Sequence, residues 1–179
     1  MKKLLIAGAT SIALAALPVV GVFANDPAAL EDELQITVNE SCTFTRGTGG
    51  QSSFQETMQA GEVNSNFGSN TFTSKCNNGT GYTVTAEFTP LAEENGAGTA
   101  ITYSTTTPDS THLGIWTAYN STTSTNIANE EEILNTSAAD PAAGTSFSVV
   151  YKVGLNANQE QGTYTGTATY TLAQKSNNP

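Results

Sequence analysis

Residues 162–172, GTYTGTATYTL, alternate without a break. Thr163, Thr165, Thr167, Thr169 and Thr171 fill one set of positions, and Tyr164, Gly166, Ala168, Tyr170 and Leu172 fill the other. In a strand, successive side chains point to opposite faces, so this stretch has one wet face and one buried face. A 3.6-residue period would scatter both sets around a helix axis. Threonine is a good strand former that also keeps the outer face soluble. The same rule places Tyr82, Val84, Ala86 and Phe88 on an inward row opposite Thr83, Thr85 and Glu87. Phe147, Val149, Tyr151 and Val153 make a third inward row, and Leu34, Ile36 and Val38 a fourth, read as the first strand of the domain.

Weaker strand signals cover residues 42–45, 71–76, 99–103 and 113–119, while residues 129–135 and 27–33 each predict a short helical turn. Gly, Asn and Pro punctuate the chain at residues 46–51, 77–79, 94–96, 108–110, 143–144 and 161–162. Glycine and asparagine tolerate the positive φ that tight turns need. Short strands separated by such turns predict an all-β domain over residues 34–174. The expected architecture is an Ig-like or Greek-key β-sandwich of seven to eight strands.

The two cysteines, Cys42 and Cys76, are the only ones in the chain. An even count in an exported protein reads as one disulfide. Cys42 shares parity with Phe44, and Cys76 with Phe72, so both thiols face the core side of their strands. Parity leaves open whether the bridge lies within one sheet or between two.

Lys2 and Lys3 precede an uncharged apolar run over residues 4–23, and Val22, Phe23 and Ala24 end it with a signal-peptidase pattern. Residues 1–24 are therefore expected to be a signal peptide cleaved after Ala24, with an uncleaved anchor as the competing reading. Residues 25–33 are read as a flexible acidic segment and 175–179 as a polar tail. Cleavage leaves about 155 residues, enough for one domain. It also leaves four basic residues against sixteen acidic ones. That charge repels phosphate backbones and anionic membrane surfaces, which excludes nucleic-acid binding and disfavours membrane association after cleavage. The expected location is secreted or on the cell surface.

Catalytic patterns are scarce. His112 is the only histidine, no G-x-S-x-G elbow occurs, and the sequence beside it is turn-like, so it reads as a loop residue. Glu31, Asp32 and Glu33, Glu93 and Glu94, and Glu130, Glu131 and Glu132 are adjacent carboxylates, which point apart in extended chain and read as solvated charge. No calcium loop pattern and no CxxC pair occur, so no metal or other cofactor is expected. Trp116, Tyr119 and Tyr103 are candidate ligand-binding residues. Their rings are of the kind that stack on sugars, although Trp116 reads more readily as the core tryptophan of a sandwich. Lys75 and Lys152 lie in strands with asparagines nearby, a weak sign of Lys–Asn crosslinking.

The run Cys76, Asn77, Asn78, Gly79 followed by YTVTAEF, and the closing GTYTGTATY, resemble bacterial pilin-type and spore-coat-U-type secreted domains. They are also similar to segments of small bacterial surface proteins. The resemblance implies a Greek-key sandwich with a coat, fimbria-like or adhesin-like role. Pilins of this kind complete one another with an N-terminal donor segment, but the acidic residues 25–33 make a poor donor. The expected function is thus a non-enzymatic structural or interaction module, partnered by copies of itself or other surface proteins. A secreted carbohydrate-binding module is the alternative.

Overall fold

The computed structural model describes residues 34–176, so the leader and the acidic segment 25–33, with its expected helical turn, lie outside the described residues. The chain divides between Thr37 and Val38, and every described strand belongs to the second unit. Among the described residues there is no helix. The larger sheet runs in the order β1 (Cys42–Arg46), β2 (Val63–Cys76), β9 (Thr145–Gly154), β6 (Ile115–Asn120) and β5 (Thr102–Tyr103), with β7 (Thr125–Asn126) also paired to β6. A second sheet runs β11 (Ala168–Gln174), β3 (Tyr82–Phe88), β8 (Glu131–Asn135). β4 (Ala92–Glu93) and β10 (Tyr164–Thr165) form a small separate pair. Seven of these strands have five residues or more, within the range the alternation predicts.

The two main sheets pack face to face. Phe72 of β2 lies 4.6 Å from Tyr170 of β11, and Phe88 of β3 meets Trp116 of β6 edge-on at 5.7 Å. All eight residues of the inward rows on β3 and β9 are buried. Aromatic side chains dominate this layer, and offset or edge contacts between them contribute beyond the apolar area they remove from water.

Four expectations need correction. Residues 34–38 form no strand, and Leu34, Ile36 and Val38 are exposed rather than inward, so β1 is the first strand among the described residues. Alternation makes a segment competent for a strand but does not supply a neighbour to pair with. Residues 131–135, within the expected helical turn, are strand β8, because pairing with β3 half-buries Ile133 and Leu134. The closing strand breaks at Gly166 and Thr167 into β10 and β11. There the backbone passes so close to the loop before β4 that a Cβ on Gly166 would sit 2.7 Å from the Pro90 carbonyl oxygen. Finally, β2 begins at Val63, well before residue 71, and a register shift between Asn64 and Gly68 hides its alternation.

Candidate functional site: the β1–β11 flank

Cys42 and Cys76 are bonded and sit directly opposite each other on β1 and β2, with Cα atoms 4.1 Å apart. The bridge is therefore within one sheet. A disulfide of this kind marks an oxidising compartment. Beside it, the Asn77 side chain accepts from the Ser41 amide at 2.6 Å and donates to the Asn39 carbonyl at 2.8 Å. These bonds fix the approach of the chain into β1.

β1 and β11 are edge strands, each paired on one side only among the described residues. They lie on the same flank, because their rings converge on the same two partners. Phe44 of β1 is 5.7 Å from Phe72 and 6.3 Å from Phe147, and Tyr170 of β11 is 4.6 Å and 6.2 Å from the same rings. Phe44, Tyr170 and Leu172 are core-directed yet only half-buried. The core is thus less well covered on this side. An unpaired edge presents a row of free backbone donors and acceptors on which another strand can form.

The same end of the sandwich carries a polar cluster that sequence reasoning missed. Asp140 accepts from the Tyr82 hydroxyl at 2.9 Å, the Thr145 hydroxyl at 2.6 Å and the Cys76 amide at 2.8 Å. The Ser74 and Tyr82 hydroxyls are 2.6 Å apart. Burial is the main reason that the Tyr82 phenol is held above its ordinary pKa, and the adjacent Asp140 adds to it. The only signal in the sequence was an Asp before Pro141, which reads as a turn. Replacing Asp140 by Ala strands these donors. Hydrogen bonds to a charged group contribute about 1.5–3 kcal/mol each and are not additive within a cluster. We expect Asp140→Ala to cost about 3 kcal/mol in urea unfolding, with Asp140→Asn milder. A loss below about 1 kcal/mol would show the cluster to be incidental.

The other sequence-predicted residues do not form a site together. Trp116 is 5 % exposed, points into the sandwich, and leaves no ring face for a sugar. Tyr103 stacks on Phe88 at 4.2 Å, and its hydroxyl donates to the Ile127 carbonyl. Tyr119 points to the opposite face from Trp116, where the Lys152 ammonium sits 4.0 Å from its ring centroid. The three rings therefore make no common platform, and Lys152 is engaged with a ring rather than an asparagine. His112 Nδ1 lies 2.9 Å from Asp109, with both side chains about half exposed on a tight turn. Hydrogen bonds from Thr111 and then His112 hold the Asp109 carboxyl far below its usual range. Glu93, expected to be solvated, is buried, and its carboxylate accepts from the Ala97 amide and the Asn95 side chain, both at 3.1 Å. These bonds, the Ala97 amide first, lower its pKa and close the turn after β4.

Comparison with protein-family models, curated protein sequences and solved structures finds no match to this chain.

Proposed function

We propose that the protein is an exported structural module of the cell surface that assembles with further copies of itself through the β1–β11 flank and performs no catalysis. One observation carries this reading. Leu34, Ile36 and Val38 are 89 %, 88 % and 78 % exposed, in a run where they alternate with Gln35, Thr37 and Asn39. A large aliphatic side chain left in water forgoes about 1.5–3 kcal/mol relative to full burial. Three of them in strand phase make a segment suited to lying along a sheet edge. In such pairing the main-chain bonds supply affinity, and every second side chain enters the core. The flank offers both an unpaired edge and incompletely covered core rings. The run of one copy is accordingly assigned to the flank of another. The disulfide, the acidic composition and the leader-like N-terminus support export.

The test is light scattering on protein lacking residues 1–24. The expected result is concentration-dependent oligomers that dissociate in the triple variant Leu34→Asp, Ile36→Asp, Val38→Asp. The variant should keep the wild-type circular dichroism and melting temperature, since these side chains are exposed in the single copy. A wild-type protein that stays monomeric up to about 100 μM, where even weak specific pairs associate, would overturn the proposal.

A further inference from the structure

Outside the flank, one group of side chains is set up for covalent chemistry. Lys175 Nζ donates to Asn135 Oδ1 at 2.6 Å and also to the Thr136 carbonyl. The same asparagine donates from Nδ2 to Glu132 Oε2 at 2.7 Å. A carboxamide carbon therefore has an amine on its oxygen side and a carboxylate on its leaving nitrogen. With a C=O bond of about 1.23 Å, Nζ is at most about 3.8 Å from Cγ, close to the distance from which attack begins.

The surrounding structure holds this geometry in place. Residues 132 and 135 would face opposite ways in a regular strand. A register shift in β8 pairs Leu134 with Val84 and Glu132 with Thr85, leaving Ile133 as an extra residue. That bulge returns Glu132 and Asn135 to one face, and bulges commonly re-aim side chains in this way. Lys175 is fixed by its backbone. Its amide donates to the Gly81 carbonyl at 3.0 Å, and its carbonyl accepts from Asn78 Nδ2 at 3.0 Å and the Thr80 hydroxyl at 2.9 Å. Asn78 is fully buried. Gly81, at φ +81°, lets the Thr136 carbonyl approach to where a Cβ would be only 2.3 Å away. Lys175, the first residue of the stretch read from sequence as a polar tail, is therefore anchored.

We propose that Lys175 and Asn135 become joined by an intramolecular isopeptide bond, with Glu132 carrying the proton. The neutral amine of Lys175 attacks Cγ of Asn135, and the C=O electron pair moves onto Oδ1. Glu132 takes a proton from Nζ and passes it to Nδ2. The pair then returns from Oδ1, the Cγ–Nδ2 bond breaks, and ammonia leaves. One amide replaces another, no oxidant or reductant is involved, and Glu132 is regenerated. Lysine amines are effective nucleophiles once deprotonated. Holding the two groups together substitutes for a very high reactant concentration, with effective molarities of about 10⁵–10⁸ M in well-oriented cases. The product ties β11 to β8 across β3, so the last strand of the chain is fastened covalently to the far edge of its sheet.

The experiment is intact mass and tryptic mapping of the full exported protein, disulfide intact, after incubation at about pH 9, where more of an ordinary lysine is neutral than at pH 7. The expected result is a mass deficit of about 17 Da beyond the disulfide, from loss of ammonia. A branched peptide should join Asn135 to Lys175, and trypsin should no longer cut after residue 175. Lys175→Arg should abolish the deficit, and Glu132→Gln should slow its appearance at least tenfold. Only linear peptides with a free Lys175 after prolonged incubation would overturn the proposal. So would a deficit that survives in Lys175→Arg, which marks cyclisation of Asn135 onto its own backbone. An unchanged rate in Glu132→Gln would remove Glu132 from the chemistry.

Discussion

Raising the pH above about 10 should unfold this protein in one steep step. Four of its six tyrosines are held above their ordinary pKa. Burial pushes Tyr103 up to about 12. Burial also raises Tyr151 and Tyr170, whose hydroxyls are 3.0 Å apart, and Tyr170 is raised further by its neighbour Tyr151. A tyrosine in the unfolded chain ionises near pH 10. Below that, folded and unfolded forms hold the same phenolic protons, and the stabilisation is fully present. Above it, the unfolded chain releases protons that the folded core retains, and stability falls as pH rises toward the folded pKa values. Each withheld proton removes about 1.4 kcal/mol per pH unit until the folded phenol itself ionises, so as many as four together remove up to about 5 kcal/mol over the first unit above pH 10. Against a typical reserve of 5–15 kcal/mol, the midpoint should lie at about pH 11 or above. Tyrosinate absorbance and near-ultraviolet circular dichroism should change together. Tyr170→Phe should make the transition shallower and move it upward. Ionisation of all six phenols near pH 10 with the near-ultraviolet signal intact would contradict the tyrosine core.

That core was the most legible part of the sequence. Tyr82 to Phe88 and Phe147 to Val153 read correctly as inward rows because both strands have neighbours on each side and pack against the opposite sheet. Leu34, Ile36 and Val38 carry an equally clear period, yet they are exposed. Period reports which side chains share a face and says nothing about what covers that face. The flank was illegible for a related reason. Whether β1 and β11 are edges depends on strand order, which is a long-range property of the chain. The cluster at Asp140 joins residues up to 71 positions apart in sequence, Ser74 to Thr145. The triad at Lys175 depends on a bulge that inverts the parity between Glu132 and Asn135. Simple alternation would have placed those two on opposite faces. The cysteines were read correctly because their parity matched that of Phe44 and Phe72, and register put them directly opposite.

Removing the disulfide should cost about as much as any single change in this molecule. Cys42 and Cys76 are 34 residues apart in sequence, and opening a loop of that length returns about 4 kcal/mol of chain entropy to the unfolded state. The loss will not be spread evenly. Among the described residues β1 pairs only with β2, and a long segment without regular structure joins the two. Without the bridge, β1 is held by five residue pairs, the ring contacts of Phe44 and the Asn77 clasp. Strands with so few contacts open before the rest of a domain does. In Cys42→Ala/Cys76→Ala we therefore expect a melting temperature lower by about 10 °C or more. We also expect amide exchange over β1 to accelerate far more than exchange over β3 or β9. Detachment of β1 would bare the edge of β2 and the rings of Phe72 and Phe147, so the variant should aggregate or pair strands indiscriminately. If assembly runs along the β1–β11 flank, the same variant should lose ordered oligomers even where its remaining sheet is intact. A double variant with exchange over β1 as slow as in wild type, and a melting temperature within about 2 °C, would show that the bridge is not what holds the first strand.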